Sequence, residues 1–346
     1  MDPLSHAALG AVCGAAAAAS SPQRLRIAAA TGALAALLPD ADVLIRSEED
    51  PLLVLELHRQ FSHSLIFVPV GALLVAGLVQ LAGRGRWPFG LLFLASALGI
   101  ASASLLDAAT SYGTQLLWPF SDRRIAWSAI SVVDPVFTLP ILVLAILAMR
   151  TRRWRYAGAA LAFAGLYLAL GAVQQHRVAR VQTELAASRG HAAATESVVK
   201  PTLANLVLWR SVYLAEGSYH VDAIRLPPFV PVARAAISEG GSLPSLENDP
   251  AFVPPQQGTR LASDLERFRR VSEGWLVRHP SQPGVVADLR YAMLPDSLDP
   301  LWGIRYDADR PEEAVRFETF RDASPETRAR FRRLLFGGAG ADSPQP

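Results

Sequence analysis

The chain has 346 residues, enough for two domains, and 51% of them are hydrophobic, with a mean hydropathy of +0.23 that is high for a soluble protein. A formal net charge of +2, with no basic stripe carrying interleaved aromatics, excludes nucleic acid as the default partner. One cysteine, Cys13, excludes an intrachain disulfide framework, and Lys200 as the only lysine of an arginine- and alanine-rich chain reflects base composition and not function.

The first twenty residues lack the basic flank of a signal peptide, so the segment holding His6 is expected to be retained. A bilayer span needs about 20 mostly apolar residues. Segments 64–82, 88–106, 135–149 and 156–173 meet or approach that length, and 4–19 and 25–38 are shorter and alanine-rich, either thin spans or a re-entrant pair. The fold class is therefore mainly α: a polytopic helical membrane domain of about six apolar helices, followed by a small α+β soluble domain. Arg24 and Arg26, Arg84 and Arg86, and Arg150, Arg152, Arg153 and Arg155 stand in short loops without acids, which the positive-inside rule places in the cytoplasm. If all six segments cross, His6, Asp40, Asp42, His58, His63, Asp107 and Asp134 share the opposite, periplasmic face.

Beyond residue 174 the apolar runs stop. The expected order is a helical membrane domain over 1–175, an amphipathic linker helix within 176–200, a soluble α+β domain over 201–337 and a disordered tail over 338–346. Within the soluble part, 204–226 reads as a hairpin with a Gly-Ser turn, 227–258 as loops and "TRLASDLERFRRVSEGW" as a helix. Strands are expected at 284–293, 302–306 and 314–320, and "SPETRARFRRLLF" opens on a capping signal for a last helix.

The chemistry-bearing residues all lie where helices meet the interface. In "LLPDADVL", Asp40 and Asp42 either cap the next element or offer hard oxygen ligands. His58 and His63 do not share a face of a straight helix, but an approach that bends at Ser62, a candidate N-cap, lets both imidazoles converge, as caps or as ligands for a transition metal. Asp107 ends an apolar segment, where an acid is costly unless paired or coordinated. Asp134 precedes Pro135 and His6 lies one turn into the first segment; each alone fits a structural role. Convergent His and Asp side chains with open positions make a hydrolytic metal site.

These stretches, "MDPLSHAALG", "ALLPDADVL", "HRQFSHSL", "LLDAATSYGTQLLWPFSDRR" and "VVDPVFTLP", resemble the YdjM-like family of bacterial membrane-bound metal-dependent hydrolases over about residues 1–175. That family is grouped remotely with zinc-dependent phospholipase C and P1-type nucleases. The resemblance implies an inner-membrane enzyme that holds a divalent metal, zinc by preference, with His6, Asp40, His58, His63 and Asp107. Asp42 and Asp134 are implied as outer ligand partners or general bases. Many relatives have a histidine where Ala103 stands here, which implies fewer metals, or binding through water by Ser102 and Ser104. The expected activity is hydrolysis of a phosphoester, on a small molecule, a lipid or a lipid-linked substrate, with membrane lipid as neighbour and the protein partner unknown. Rival readings are a non-catalytic metal-binding or transport protein, and a membrane anchor for a partner-binding domain; a transporter would place ionisable groups at mid-membrane.

Overall fold

A computed structural model describes residues 1–191 and 194–337, so the tail expected over 338–346 lies outside the described residues. The chain divides into two compact units. The first comprises Met1–Ile45, Leu57–Val173 and Leu203–Asn205; the second comprises Arg46–Glu56, Gln174–Thr202 and Leu206–Pro346.

The first unit is helical: α1 (Pro3–Ala17), α2 (Leu25–Leu37), a 3-10 turn over Pro39–Leu44, another over Phe61–His63, α4 (Phe67–Ala82), α5 (Phe89–Ala109), α6 (Pro135–Thr151) and the start of α7 (Trp154–Ser188). The short α3 (Leu53–Leu57) straddles the two units. Alanine and glycine in α1 and α2 are what allow the close packing of the bundle. A Cβ added at Gly32 would strike the Gly10 carbonyl and Gly14 Cα of α1, and one added at Gly99 of α5 would strike the Gly32 carbonyl. Small residues let helix backbones touch where lipid provides no hydrophobic drive. The helices Leu25–Leu44, Phe89–Ala109 and Trp154–Ser188 are long and apolar enough to cross a membrane; Leu53–His63 with Phe67–Ala82, bent by 80°, makes a fourth if counted as one span. Three to four candidates thus stand where about six were expected. Pro3–Ala17 and Pro135–Thr151, of 15 and 17 residues, fall short of the length that a rise of about 1.5 Å per residue needs to cover a hydrocarbon core of about 30 Å.

The second unit holds two antiparallel four-stranded sheets in sequential order. One is β1 (Glu196–Pro201), β2 (Leu208–Ala215), β3 (Ser218–Arg225) and β4 (Ala236–Pro244); the other is β5 (Leu276–Arg278), β6 (Val285–Asp288), β7 (Trp302–Arg305) and β8 (Arg316–Thr319). The hairpin turn falls at Glu216 and Gly217, both at positive φ. Helix α8 (Arg260–Val271) is capped by Thr259, and α9 (Pro325–Phe336) by Ser324 and a left-handed Gly337. Leu52 packs with Leu246, Leu261, Phe268, Val286 and Ile304, which explains why Arg46–Glu56 belongs to this unit.

Four elements differ from the sequence expectation, the first being β5, a strand where none was expected. No helix breaker follows Gly171 until Gly190, so the expected last span and linker helix form one continuous α7. Glu196–Pro201, partly inside the expected linker, is a strand whose Val198 and Val199 pair with Val212 and Ser211. Residues 227–258 are not all loop: β4 pairs with β3 as an edge strand whose register shifts at Val221/Asp222, and a bulged edge accepts Gly240 and Gly241.

Candidate metal centre

Each site residue is placed by a local rule. Asp2 caps α1 by accepting from the Ser5 N–H at 3.0 Å, which sets His6 in the first turns. Pro39 starts a 3-10 turn straight after α2. At three residues per turn, positions two apart point about 120° from each other. Asp40 therefore faces His6 and His63, while Asp42 turns toward His58 and Ser62. The 3-10 turn over Phe61–His63, which precedes the 80° bend into α4, holds His63 fully buried. Asp107 lies on the last turns of α5 and is also fully buried.

His6, Asp40 and Asp107 each offer a ligand atom within 4.8 Å of the other two. His6 Nε2 lies 3.4 Å from Asp107 Oδ2 and 3.7 Å from Asp40 Oδ2. His63 Nε2 lies 3.0 Å from the same Asp107 Oδ2 and 3.5 Å from Asp40 Oδ1. With metal–ligand bonds of about 2.0–2.2 Å, neighbouring donors around one ion stand roughly 3.0–3.6 Å apart. Asp107 Oδ2 stands at that spacing from both imidazoles and Asp40 Oδ1 at that spacing from His63, while Asp40 Oδ2, at 3.7 Å from His6, lies just outside it.

Hydrogen bonding sharpens the match. Ser62 Oγ donates to Asp42 Oδ2 at 2.6 Å and accepts from His63 Nδ1 at 3.0 Å, because the carboxylate can only accept. With Nδ1 engaged by Ser62, Nε2 is the His63 atom turned toward the two carboxylates. His6 Nε2, His63 Nε2 and Asp107 Oδ2 are all buried, and none has a hydrogen-bond partner among the described residues. Acceptors that converge in a dry interior repel one another unless a cation lies between them, either a proton on the imidazole or a metal ion. Two nitrogen and two oxygen donors suit zinc.

The remaining expected residues stand differently. His58 does not join this group: its Nδ1 donates to Asp42 Oδ1 at 2.7 Å, and its ring meets that of His63 edge-on with centroids 6.2 Å apart. Asp42 is saturated, since Oδ2 also accepts from the Arg59 N–H at 2.9 Å. Asp134 caps α6 through the Val136 and Phe137 N–H groups and accepts from the Tyr167 hydroxyl at 2.7 Å. No hydrogen bond or ion pair joins it to the histidines among the described residues. Burial raises the Asp134 carboxyl above its ordinary range, against the three hydrogen bonds that lower it. Ser62, expected to cap the span, serves the Asp42–His63 link instead, and α4 starts at Phe67 without a side-chain cap. Buried Ala103 contributes no ligand; Ser102 donates to the Gly99 carbonyl of its own helix, and Ser104 Oγ is buried without a partner among the described residues.

One residue escaped the sequence reading. Arg59 is buried at positive φ, with a guanidinium nitrogen 3.0 Å from Asp107 Oδ1 and another 3.3 Å from Thr110 Oγ1. The Met1 amine also meets Asp107 Oδ1. The available signal was an arginine standing between two histidines at the start of an apolar run.

The family model described as YdjM inner membrane protein matches residues 1–178, which contain every residue of this cluster. The inner membrane protein YbcI of Escherichia coli (strain K12) is 38% identical over 117 residues, 32% of this chain and 64% of that protein. The chain thus spans less than two thirds of that relative's length. No solved structure matches the chain.

Proposed function

The chain belongs to the YdjM inner membrane protein family, and from that premise we propose that it is a membrane-bound, metal-dependent hydrolase acting on a phosphoester at the periplasmic surface of the inner membrane. The observation that carries this reading is the set of buried His6, His63 and Asp107 atoms that converge beside Asp40 with no hydrogen-bond partner among the described residues. These four residues would hold one divalent ion, by preference zinc. A zinc ion supplies Lewis acidity toward a phosphoryl oxygen and toward water.

The chain's own groups supply the rest. Asp42 fixes the tautomer of His58 by taking its Nδ1 proton in a hydrogen bond, so Nε2 is the basic atom. His58 is the most exposed imidazole of the group, at 35%. An imidazole held by a carboxylate and open to solvent is suited to accept a proton from the attacking water and return it to the leaving oxygen. We therefore give His58 the general-base role first considered for Asp42 and Asp134, whose oxygens are occupied. Asp107 sits near the end of its helix, not at its middle, which favours an interfacial enzyme over a transporter. Leu117, Phe120 and Trp127, exposed on the segment after α5, suit a lipid or lipid-linked substrate presented at the interface. The arginine-only loops around Arg24 and Arg84 support the cytoplasmic assignment of the opposite face, and the loop around Arg153 joins them if the short α6 crosses as well.

The test is a panel of phosphodiester and phospholipid substrates given to purified parent, chelator-stripped and Asp107→Asn protein in lipid nanodiscs. Turnover by the zinc-loaded parent alone is expected. Turnover that survives both stripping and Asp107→Asn rejects the mechanism, and zinc bound without turnover on any substrate favours a non-catalytic metal-binding protein.

A further inference from the structure

The two oxygens of Asp107 have different surroundings. Oδ2 is buried, has no hydrogen-bond partner among the described residues, and faces both His6 Nε2 and His63 Nε2. Oδ1 is met by the Arg59 guanidinium at 3.0 Å and by the Met1 amine. Of these two partners, Arg59 is the side chain fixed by further contacts of its own. Its backbone N–H donates to Asp42, its carbonyl accepts from the Gln115 N–H at 3.0 Å, and its guanidinium reaches Thr110 and lies over the Tyr112 ring at 5.6 Å. The positive φ of 61° at Arg59 is held by those backbone bonds, so the guanidinium is delivered to Asp107 by the frame of the fold.

Resting on the metal-site reading above, we infer that Arg59 is a positioning residue that makes Asp107 a one-oxygen ligand and limits the centre to a single divalent cation. A carboxylate that turns both oxygens toward an ion favours large, hard cations, which collect six to eight oxygens and accept bidentate carboxylates. A carboxylate restricted to one oxygen, beside two imidazoles, favours the compact four-coordinate arrangement of zinc. The same guanidinium stands where a second ion bridged by Asp107 Oδ1 would have to lie, and its fixed positive charge repels one. Asp42 offers no alternative bridge, because His58, Ser62 and the Arg59 N–H hold its oxygens.

The experiment measures metal content and affinity, not turnover. Parent, Arg59→Gln, Arg59→Lys and His6→Ala, each full length in nanodiscs and checked for helix content and monodispersity, are titrated with Zn²⁺ and with Ca²⁺ against a chromophoric chelator. The parent is expected to bind one Zn²⁺ per chain. Arg59→Gln removes the guanidinium and leaves the Met1 amine as the remaining partner of Oδ1, so the ratio of Zn²⁺ to Ca²⁺ affinity should fall at least about tenfold, chiefly through tighter Ca²⁺ binding. Arg59→Lys keeps the charge but loses the planar fork, and its ratio should fall at least about threefold; it decides the matter if Arg59→Gln does not fold. A ratio unchanged or raised in the folded Arg59 variants overturns the inference, as do two Zn²⁺ per parent chain. Loss of Zn²⁺ in His6→Ala with an unmoved ratio in the Arg59 variants would sink the Arg59 role while leaving the metal centre standing. A parent that binds neither cation would sink both.

Discussion

His58 and His63 stand five positions apart and look equivalent in sequence, so separating them is the sharpest test of the site. His63→Ala removes a donor whose Nε2 lies 3.0 Å from Asp107 Oδ2 and 3.5 Å from Asp40 Oδ1, between the carboxylates that would hold the ion. His58→Ala removes a ring that touches Asp42, one residue further out. Outer partners of metal ligands contribute about 10–100-fold to affinity. Loss of the direct donor in His63→Ala should therefore weaken zinc by more than about 100-fold, at least about 2.8 kcal/mol at about 1.4 kcal/mol per decade. His58→Ala should cost about tenfold or less, since Asp42 keeps Ser62 and the Arg59 N–H as partners and continues to hold His63 through Ser62. If His58 also moves the proton, His58→Ala at saturating zinc should lower turnover about 10²–10⁴-fold. Affinity is read by chelator competition in nanodiscs, and turnover on whichever substrate the panel identifies. Equal loss of zinc in both variants would refute the assignment of His58 to the outer position. Unchanged zinc in His63→Ala would refute the centre itself.

Asp42→Asn should weaken zinc about 10–100-fold while His279→Ala, in the second unit, leaves it unchanged; zinc content after dialysis checks both. In a Cys13→Ser background, an impermeant thiol reagent should label a cysteine at position 250 from the periplasm and spare one at position 85; the reverse pattern would overturn the orientation. Gly32→Leu should destabilise the bundle by roughly 1–3 kcal/mol and loosen zinc, because the side chain meets backbone of α1, which carries His6; thermal unfolding with and without zinc reports both. Lys200 is buried with its ammonium 3.5 Å from the Tyr291 ring centre, and burial, reinforced by Arg290, pushes its pKa well below the ordinary lysine range. The unfolded chain then binds the extra proton, so this residue's contribution to stability rises with pH until the unfolded lysine titrates near about 10.4. Lys200→Met should stabilise the second unit at pH 7 by roughly 1–3 kcal/mol, with the gain over the parent shrinking toward pH 10 in tryptophan-monitored unfolding; a gain that does not shrink would refute the linkage.

The sequence by itself determined whatever follows from neighbours along the chain. Apolar runs located α4 and α5 to within a few residues, Ser324 and the Gly-Gly after Phe336 marked the ends of α9, and a Gly-Ser pair marked the hairpin whose turn falls at Glu216 and Gly217. The residue types of the site were legible too, because an acid or imidazole beside a long apolar run is costly without a partner. Only tertiary structure decided which partner each one has. Asp40 and Asp42 differ in role because a 3-10 turn points them apart, and His58 and His63 differ because His63 closes the buried 3-10 turn over Phe61–His63 while His58 lies before it and stays partly exposed. Arg59 acquires its place through contacts with residues 42, 107, 110 and 115, none adjacent to it in sequence. The continuity of α7, the pairing of β4 and the membership of Arg46–Glu56 in the second unit were likewise hidden. Spacing along a chain fixes which way a side chain leaves its own element. What it meets there depends on how helices and strands far apart in sequence pack, and that packing is set by backbone contact at glycines such as Gly32 and by burial of distant apolar groups such as Leu52.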